Sequence, residues 1–252
     1  MSQPKSEQKL RTHKERALQK IDAYMETLIA SEDLKKRGKS DKLSYWLEDW
    51  MTFLDFEERF SPQSLRRYKR GEIIKVHLGF NIGSEEGGLH YAVVLDKKNA
   101  KSSPVVTIVP LTSVKPHTDI SKLKSGSLFL GNELFTNLNA KVSSTAKHLA
   151  DEVILLNKLV NSMTSQTTQE EYQETKDRLE KAILEKNLLD RMRTEVQNMR
   201  IGSIALVNQV TTISKIRIYD PKTDHDILSG IKLSNEKLDL IDEEVRQRFT
   251  NL

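Results

Sequence analysis

β-type runs stand on both sides of a long helical stretch in this chain, and that arrangement limits what it can fold into. Three short apolar runs lie between residues 71 and 115, at 73–78, 91–96 and 105–111, and 127–130 is a candidate fourth. In the first, Ile74, Val76 and Leu78 alternate with Lys75 and His77, the period of a half-buried strand. The next two are nearly continuous apolar runs, as buried strands are, and the short polar linker 97–104 makes them hairpin neighbours. β patterning returns only at 202–207, 210–213 and 217–219. Between the two β-rich parts, Leu149, Val153, Leu156, Val160 and Met163 step in heptad fashion, 162–169 reads as a polar turn, and Leu179, Ala182, Leu189, Met192, Val196 and Met199 follow in similar steps. The expectation is an α+β chain with one small β-core interrupted by an antiparallel helical hairpin, not two domains in series.

The flanks add helices. Ala17, Ile21, Tyr24, Met25 and Leu28 recur at three- and four-residue steps, while the polar residues 1–13 are expected to fray. The charged segment 32–42, with Gly38 inside it, reads as a loop. Trp46, Trp50, Phe53 and Phe60 then share a helical face, a stripe that packing explains more simply than nucleobase stacking. At the other end Ser234 is a good N-cap, Leu233 and Leu238 take the staple positions around it, and Leu238, Ile241, Val245 and Phe249 form the face to be buried.

Composition excludes several functions. With no cysteine among 252 residues, disulfides, thiolate metal sites and a cysteine nucleophile are ruled out. A net charge of +4 permits a polyanionic partner without demanding one. No apolar run approaches the roughly 20 residues that span a bilayer, and the basic N-terminal segment lacks the apolar stretch of a secretory signal. The expectation is a soluble cytoplasmic protein without a membrane partner.

Polar groups crowd at the strand ends. The glycine-rich loop 79–88 carries Asn81, Ser84, Glu85 and Glu86; His90 follows Gly87-Gly88; Thr112 and Ser113 end the third run, with Lys115 just beyond; Asn208 and Gln209 end a later one. Histidine as a residue type exchanges protons near neutral pH, hydroxyls can donate to a phosphate, and a lysine can offset its charge. Taken singly, a lone histidine is as readily structural, and Thr-Ser is a common turn. The six histidines show no metal-ligand spacing, and the adjacent Glu85 and Glu86 point apart on an extended backbone. No phosphate-binding glycine loop of the GxxxxGK(S/T) or GxGxxG type is present, and no GxSxG elbow. A cofactor-free acid–base reaction on RNA, whose 2′-hydroxyl can be the nucleophile, is consistent with these groups.

In order and spacing these blocks resemble the MazF/PemK-like toxins. The family opens with a strand led by Arg-Gly-Asp/Glu, here Arg70-Gly71-Glu72-Ile73, and continues with a Gly-Ser-Glu-Gln-Gly-Gly loop, here Gly83-Ser84-Glu85-Glu86-Gly87-Gly88. An Arg-Pro-apolar-Val-Val-Leu strand follows, here His90-Tyr91-Ala92-Val93-Val94-Leu95, then Val-Pro-Leu-Thr-Ser, here Val109-Pro110-Leu111-Thr112-Ser113. The segment from Ser203 through Asn208 and Gln209 to Ile213 and the closing helix are similar too, so that the likeness covers 68–131 and 200–250.

The resemblance implies a small SH3-like barrel, usually homodimeric, that cuts single-stranded RNA without metal or cofactor. Such enzymes leave a 2′,3′-cyclic phosphate and a 5′-hydroxyl and are silenced by an antitoxin. It implies a barrel domain at 67–252 with 132–200 inserted, after a helical extension at 1–66. His90, Thr112 and Ser113 fall at catalytic positions, and Asn81, Ser84, Glu85, Glu86, Tyr91, Lys115, Asn208 and Gln209 at RNA-binding ones; Lys115 is also similar to the lysine near such a turn in ToxN-like RNases. The departures are specific: His90 stands where the family has arginine, Tyr91 where it has proline, Asn208 where it has aspartate and Thr211 where it has arginine. A degenerate module that grips RNA or a protein partner without cutting is the alternative, and a DNA- or gyrase-directed toxin a third reading. The helical additions are consistent with covering the groove, bracing a dimer, or binding in cis in place of an antitoxin.

Overall fold

The computed structural model describes residues 6–251. Seven strands, β1 (Ile73–His77), β2 (Leu89–Val94), β3 (Val105–Ser113), β4 (Ser127–Gly131), β5 (Ser203–Leu206), β6 (Thr211–Ser214) and β7 (Ile218–Asp220), make one antiparallel sheet in the order β4-β5-β3-β2-β1-β7, with β6 also on β3. Strands from before and after the inserted helices therefore share one ladder. The path is open: among the described residues β4 and β7 are not paired with each other.

β3, the longest strand, holds the sheet together. One edge pairs with β2 from Tyr91↔Leu111 to Val94↔Ile108. Its other edge takes β6 at residues 105–108 and β5 at 111–113. Val109 and Pro110 fall in the break between those two partners. A proline lacks the N–H that a continuous ladder needs, so the break is where a central strand can hold one.

Alternate residues of the strands feed two cores. Ile73, Val93, Val109 and Leu111 face one cluster, and Ile74, Val76, Ala92, Val94, Val106 and Ile108 the other. The period of two sends neighbours to opposite faces, and both faces are covered, which is why the runs read as continuously apolar. The first cluster is closed by helices α3 (Glu133–Ser162) and α5 (Asn235–Phe249) through Leu134, Leu138, Leu238 and Ile241. The second is closed by Leu65 and Tyr68.

Polar contacts fix how the chain enters this sheet. Arg70 donates to the Leu95 carbonyl at 2.5 Å and pairs with Asp242 of α5. Glu72 accepts from the Lys69 amide at 2.8 Å and pairs with Arg66, which also reaches Asp224 at 2.9 Å. The charged residues of the Arg70-Gly71-Glu72 motif thus anchor α5 and the approach to β1. In α3, the Lys141 ammonium donates to the carbonyls of Asp226, Ile227 and Ser229 at 2.8–3.0 Å, pinning the base of the inserted arm.

The remaining helices are α1 (Glu7–Ile29), α2 (Leu34–Glu57) and α4 (Gln169–Asn198), with α1 packed on α2 and α3 on α4. Several expectations change here. Residues 7–13 belong to α1 instead of fraying; residues 1–5 lie outside the described residues. The segment 32–42 is mostly helix, not loop. Asp33 Oδ1 accepts from the Lys35 amide at 2.8 Å and starts α2 at Leu34, and a cap of this kind offsets the roughly 1 kcal/mol that Gly38 costs inside a helix. The heptad seam is narrower than its period suggests. Leu156, Ala182, Leu189 and Met192 are buried, but Val153, Leu179 and Val160 (56% exposed) face solvent. Beyond the stem, each helix covers one stripe of the other, and the Arg178–Glu152 ion pair (2.8 Å) and the His148–Glu185 hydrogen bond (3.0 Å) bridge the flanks. The turn between them is closed by a capping box of Thr168 and Glu171. In α5, Ser234 caps as expected, Leu238 and Ile241 are buried, and Phe249 is exposed.

α2 reaches the sheet through one stacked pair. Trp46 lies on the His77 ring, centroids 4.8 Å apart, while Trp50 is exposed. His77 Nδ1 accepts from the Gly79 amide at 3.0 Å, and its Nε2 lies 3.3 Å from Asp49 of α2. Burial holds the His77 pKa below its ordinary 6.5, with the Asp49 charge opposing that and Arg217 adding to it.

Two outcomes follow for stability. Leu138→Ala, in the fully buried base of α3, should cost about 2–5 kcal/mol in urea denaturation. Val160→Ala on the exposed flank should stay within about 0.5 kcal/mol. For His77, a depressed folded pKa means that the unfolded chain binds the proton more readily. Its contribution is therefore complete above pH 6.5 and is lost as pH falls through the folded value. The urea midpoint of wild type should drop from pH 7.5 to 5 by more than that of His77→Gln, with Trp46 fluorescence reporting the undocking of α2.

Candidate nucleic-acid cleft

The loop between β1 and β2 is shaped by backbone contacts that only glycine permits. The Leu78 amide donates to the Gly88 carbonyl and the Gly88 amide to the Gly79 carbonyl, both at 2.7 Å. Gly79 has φ +94, and a Cβ on Gly87 would meet the Gly79 carbonyl at 2.7 Å, so side chains at these two positions would open the loop. Two amide side chains then hold the tip. Asn81 donates to the Glu86 carbonyl at 2.6 Å. Gln209, in the turn Val207–Gln209 after β5, accepts from the Glu86 amide at 2.6 Å and donates to the Ser84 carbonyl at 3.1 Å.

The residues expected to be functional divide between two adjoining clefts. One, of about 620 Å³, is lined by Asn81, Ser84, Glu85, Glu86, Asn208 and Gln209, with Arg217 also in its wall. The other, of about 410 Å³, is lined by His90, Tyr91, Thr112, Ser113 and Lys115. Glu86 joins them, since its carboxylate lies 3.4 Å from His90 Nε2. His90 Nδ1 sits 3.1 Å from the Leu111 carbonyl. A carbonyl only accepts, so Nδ1 carries the hydrogen and Nε2 is left as the nitrogen that can take up a proton. One step beyond the Tyr91–Leu111 pair, His90 comes opposite Thr112.

Sequence reasoning passed over Lys75, Glu195 and Arg200, which line the second cleft as well. Lys75 had a signal, because it alternates with the buried residues of β1 and pairs directly with Tyr91. Glu195 and Arg200 had none, since they come from the return end of the inserted arm. Lys75 Nζ lies 2.5 Å from Glu195 Oε1 and 5.4 Å from the centre of the Tyr91 ring. The Tyr91 hydroxyl donates to the same Glu195 oxygen, and burial together with that bond pushes its pKa well above the ordinary tyrosine value. The phenol therefore stays a donor. Among the described residues no three His, Asp or Glu side chains gather as a metal site would, and no helix is long and apolar enough to cross a membrane.

Residues 69–183 match the model of the PemK-like, MazF-like toxin of type II toxin–antitoxin system. The match runs from the approach to β1 through β4 and α3 into α4; the second β-rich part and α5 lie beyond it. No curated protein matches the chain.

The double tether of Gln209 yields a local prediction. Gln209→Ala removes the acceptor of the Glu86 amide, and exchange of that amide with solvent, followed by NMR, should speed by about tenfold or more, with the protection of β3 amides unchanged.

Proposed function

We propose that the PemK-like, MazF-like domain of this chain works as the toxin of a type II toxin–antitoxin pair, and that it is an endoribonuclease cutting single-stranded RNA through the RNA's own 2′-hydroxyl. The observation that carries the reading is the convergence of His90, Thr112, Ser113 and Lys115 on one cleft, inside the residues that match the family. In the proposed reaction His90 Nε2 takes the proton of the 2′-hydroxyl. O2′ attacks the phosphorus, the bond from phosphorus to O5′ breaks, and O5′ leaves with a proton from water on the opposite side. The products are a 2′,3′-cyclic phosphate and a 5′-hydroxyl. Thr112 and Ser113 donate to the non-bridging oxygens, Lys115 offsets their charge, and the Glu86 carboxylate steadies the imidazolium. No step calls for a metal ion.

Asn208 is exposed on the rim of the neighbouring cleft, where, with Ser84 and Glu85, it would meet the flanking nucleotides. Asn81, Glu86 and Gln209 would act chiefly by holding the loop in shape, and Tyr91 through its hydroxyl. The reading extends to a barrel-like domain at 67–252 with 132–200 inserted and 1–66 as a helical extension, to a homodimer, and to a cytoplasmic site of action with an antitoxin partner. One observation favours the alternative of a binding module that does not cut. Two carboxylates stand where the family has an arginine at the position of His90: Glu86, in the wall of the first cleft and 3.4 Å from His90, and Glu195, in the wall of the second.

Purified full chain incubated with fluorescent single-stranded RNA in excess EDTA separates the two. Cleavage should occur and should fall by about 100-fold or more in His90→Ala, and an oligonucleotide with 2′-deoxyribose throughout should bind uncut. Binding with no cleavage by wild type in molar excess would leave the module reading.

A further inference from the structure

We infer that Glu195, on the last turn of the inserted arm, occupies the place of an RNA phosphate in the cleft that His90 also lines and acts as a competitor built into the chain. The inference rests on the nucleic-acid reading of this cleft and deepens it by naming a regulator of the same site.

Lys75 and Tyr91 are direct partners across β1 and β2, and both donate to one oxygen of Glu195, Lys75 at 2.5 Å. Two donors converging on a single anionic oxygen is the arrangement that a phosphate oxygen accepts. Tyr91 and His90 leave opposite faces of β2 but both line the second cleft, so this anion position is reached from the same cleft as the proposed proton acceptor. The Lys75 and Glu195 side chains are 19% and 20% exposed, sheltered enough for the charges to matter and open enough to exchange partners. The exchange itself is balanced, because a phosphate brings one negative charge where one carboxylate withdraws.

What moves is small. Val196 and Met199, flanking this turn of α4, pack against the first core cluster, and the Gly202 carbonyl accepts from the Val114 amide at 3.0 Å. The backbone on either side of the cleft is held, so displacement requires only the Glu195 side chain to swing out. While it stays, the Lys75 charge is spent inside the protein and the cleft shows RNA an extra carboxylate. Substrate binding must break the Lys75–Glu195 pair first, which weakens affinity without touching the reacting groups.

The test uses the full chain and a 2′-O-methyl single-stranded RNA, which cannot be cleaved through its 2′-oxygen. Binding is followed by anisotropy across a salt series. Glu195→Gln should bind about tenfold tighter than wild type, and its slope of log K against log salt should steepen by about 0.7, the increment for one added phosphate contact on a single strand. Lys75→Met combined with Glu195→Gln should lose both effects. An unchanged slope with unchanged or weaker affinity overturns the inference, as does a loss of RNA cleavage at constant affinity, which would make Glu195 a positioning residue. If wild type cleaves RNA and Glu195→Gln binds no better, the inference falls and the ribonuclease reading stands. If wild type binds without cutting and Glu195→Gln binds tighter, the reverse holds. Absence of binding by every variant sinks both. Should Glu195→Gln fail to fold, judged by its melting transition, Glu195→Asp draws the charge back by one methylene and should shift affinity in the same direction by a smaller factor.

Discussion

Everything in this molecule hangs on the two hydrogen-bonded edges of β3. One edge carries β2 and through it β1 and β7; the other carries β6 and β5, and β5 carries β4. Segments separated by the inserted helices meet where β4 pairs with β5 and β1 with β7 as well, but β3 alone carries two of the later strands. The same strand delivers Thr112 and Ser113 to the cleft at its end, opposite the start of β2 where His90 stands. Fold and site therefore share a cause: the pairing that joins the halves of the sheet also sets the distance between the two groups on which phosphodiester chemistry would depend. Pro110 shows how finely that edge is divided, since it sits where neither β6 nor β5 asks for a hydrogen bond.

Charge is abundant in this chain, yet much of it has a structural post. Arg66, Arg70 and Glu72 secure the entry to β1, and Lys141 donates to three carbonyls at the base of α3. A modest positive excess therefore says little about where a polyanion would lie. What matters is which cations face a cleft and whether a neighbour already claims them: Lys115 is exposed at the rim, whereas Lys75 is engaged by Glu195.

The strands, the helical hairpin and the cap at Ser234 were legible because each is written in local terms: a period of two, a heptad, a hydroxyl before a helix. The clustering of His90 with Thr112 was legible as well, since adjacent apolar runs joined by a short linker leave few other arrangements. Three things were not. Asp33 as a helix cap was hidden by the charged run around it, so Gly38 weighed too heavily. The exposure of Val153 and Val160 is set by which stripe of α3 is covered in the fold, which periodicity does not encode. Gln209 and Glu195 gain their roles from contacts across more than a hundred residues of chain, with the backbone of the Ser84–Glu86 loop and with Lys75. Side chains of that kind, defined by what the fold brings to them, leave no mark in spacing.

The inserted arm departs and returns at one point of the sheet. Gly131, the last residue of β4, is paired with Ser203, the first of β5. In topological terms the whole arm is the connection of a β-hairpin, grown outward from what would otherwise be a tight turn. The closure cost of such a connection rises only with the logarithm of its length. The outer turns of α3 and α4 can thus be lengthened, trimmed or exchanged over evolutionary time while every strand keeps its register. Only the stem, where Leu138 enters the core and Glu195 enters the cleft, is bound to the sheet's geometry.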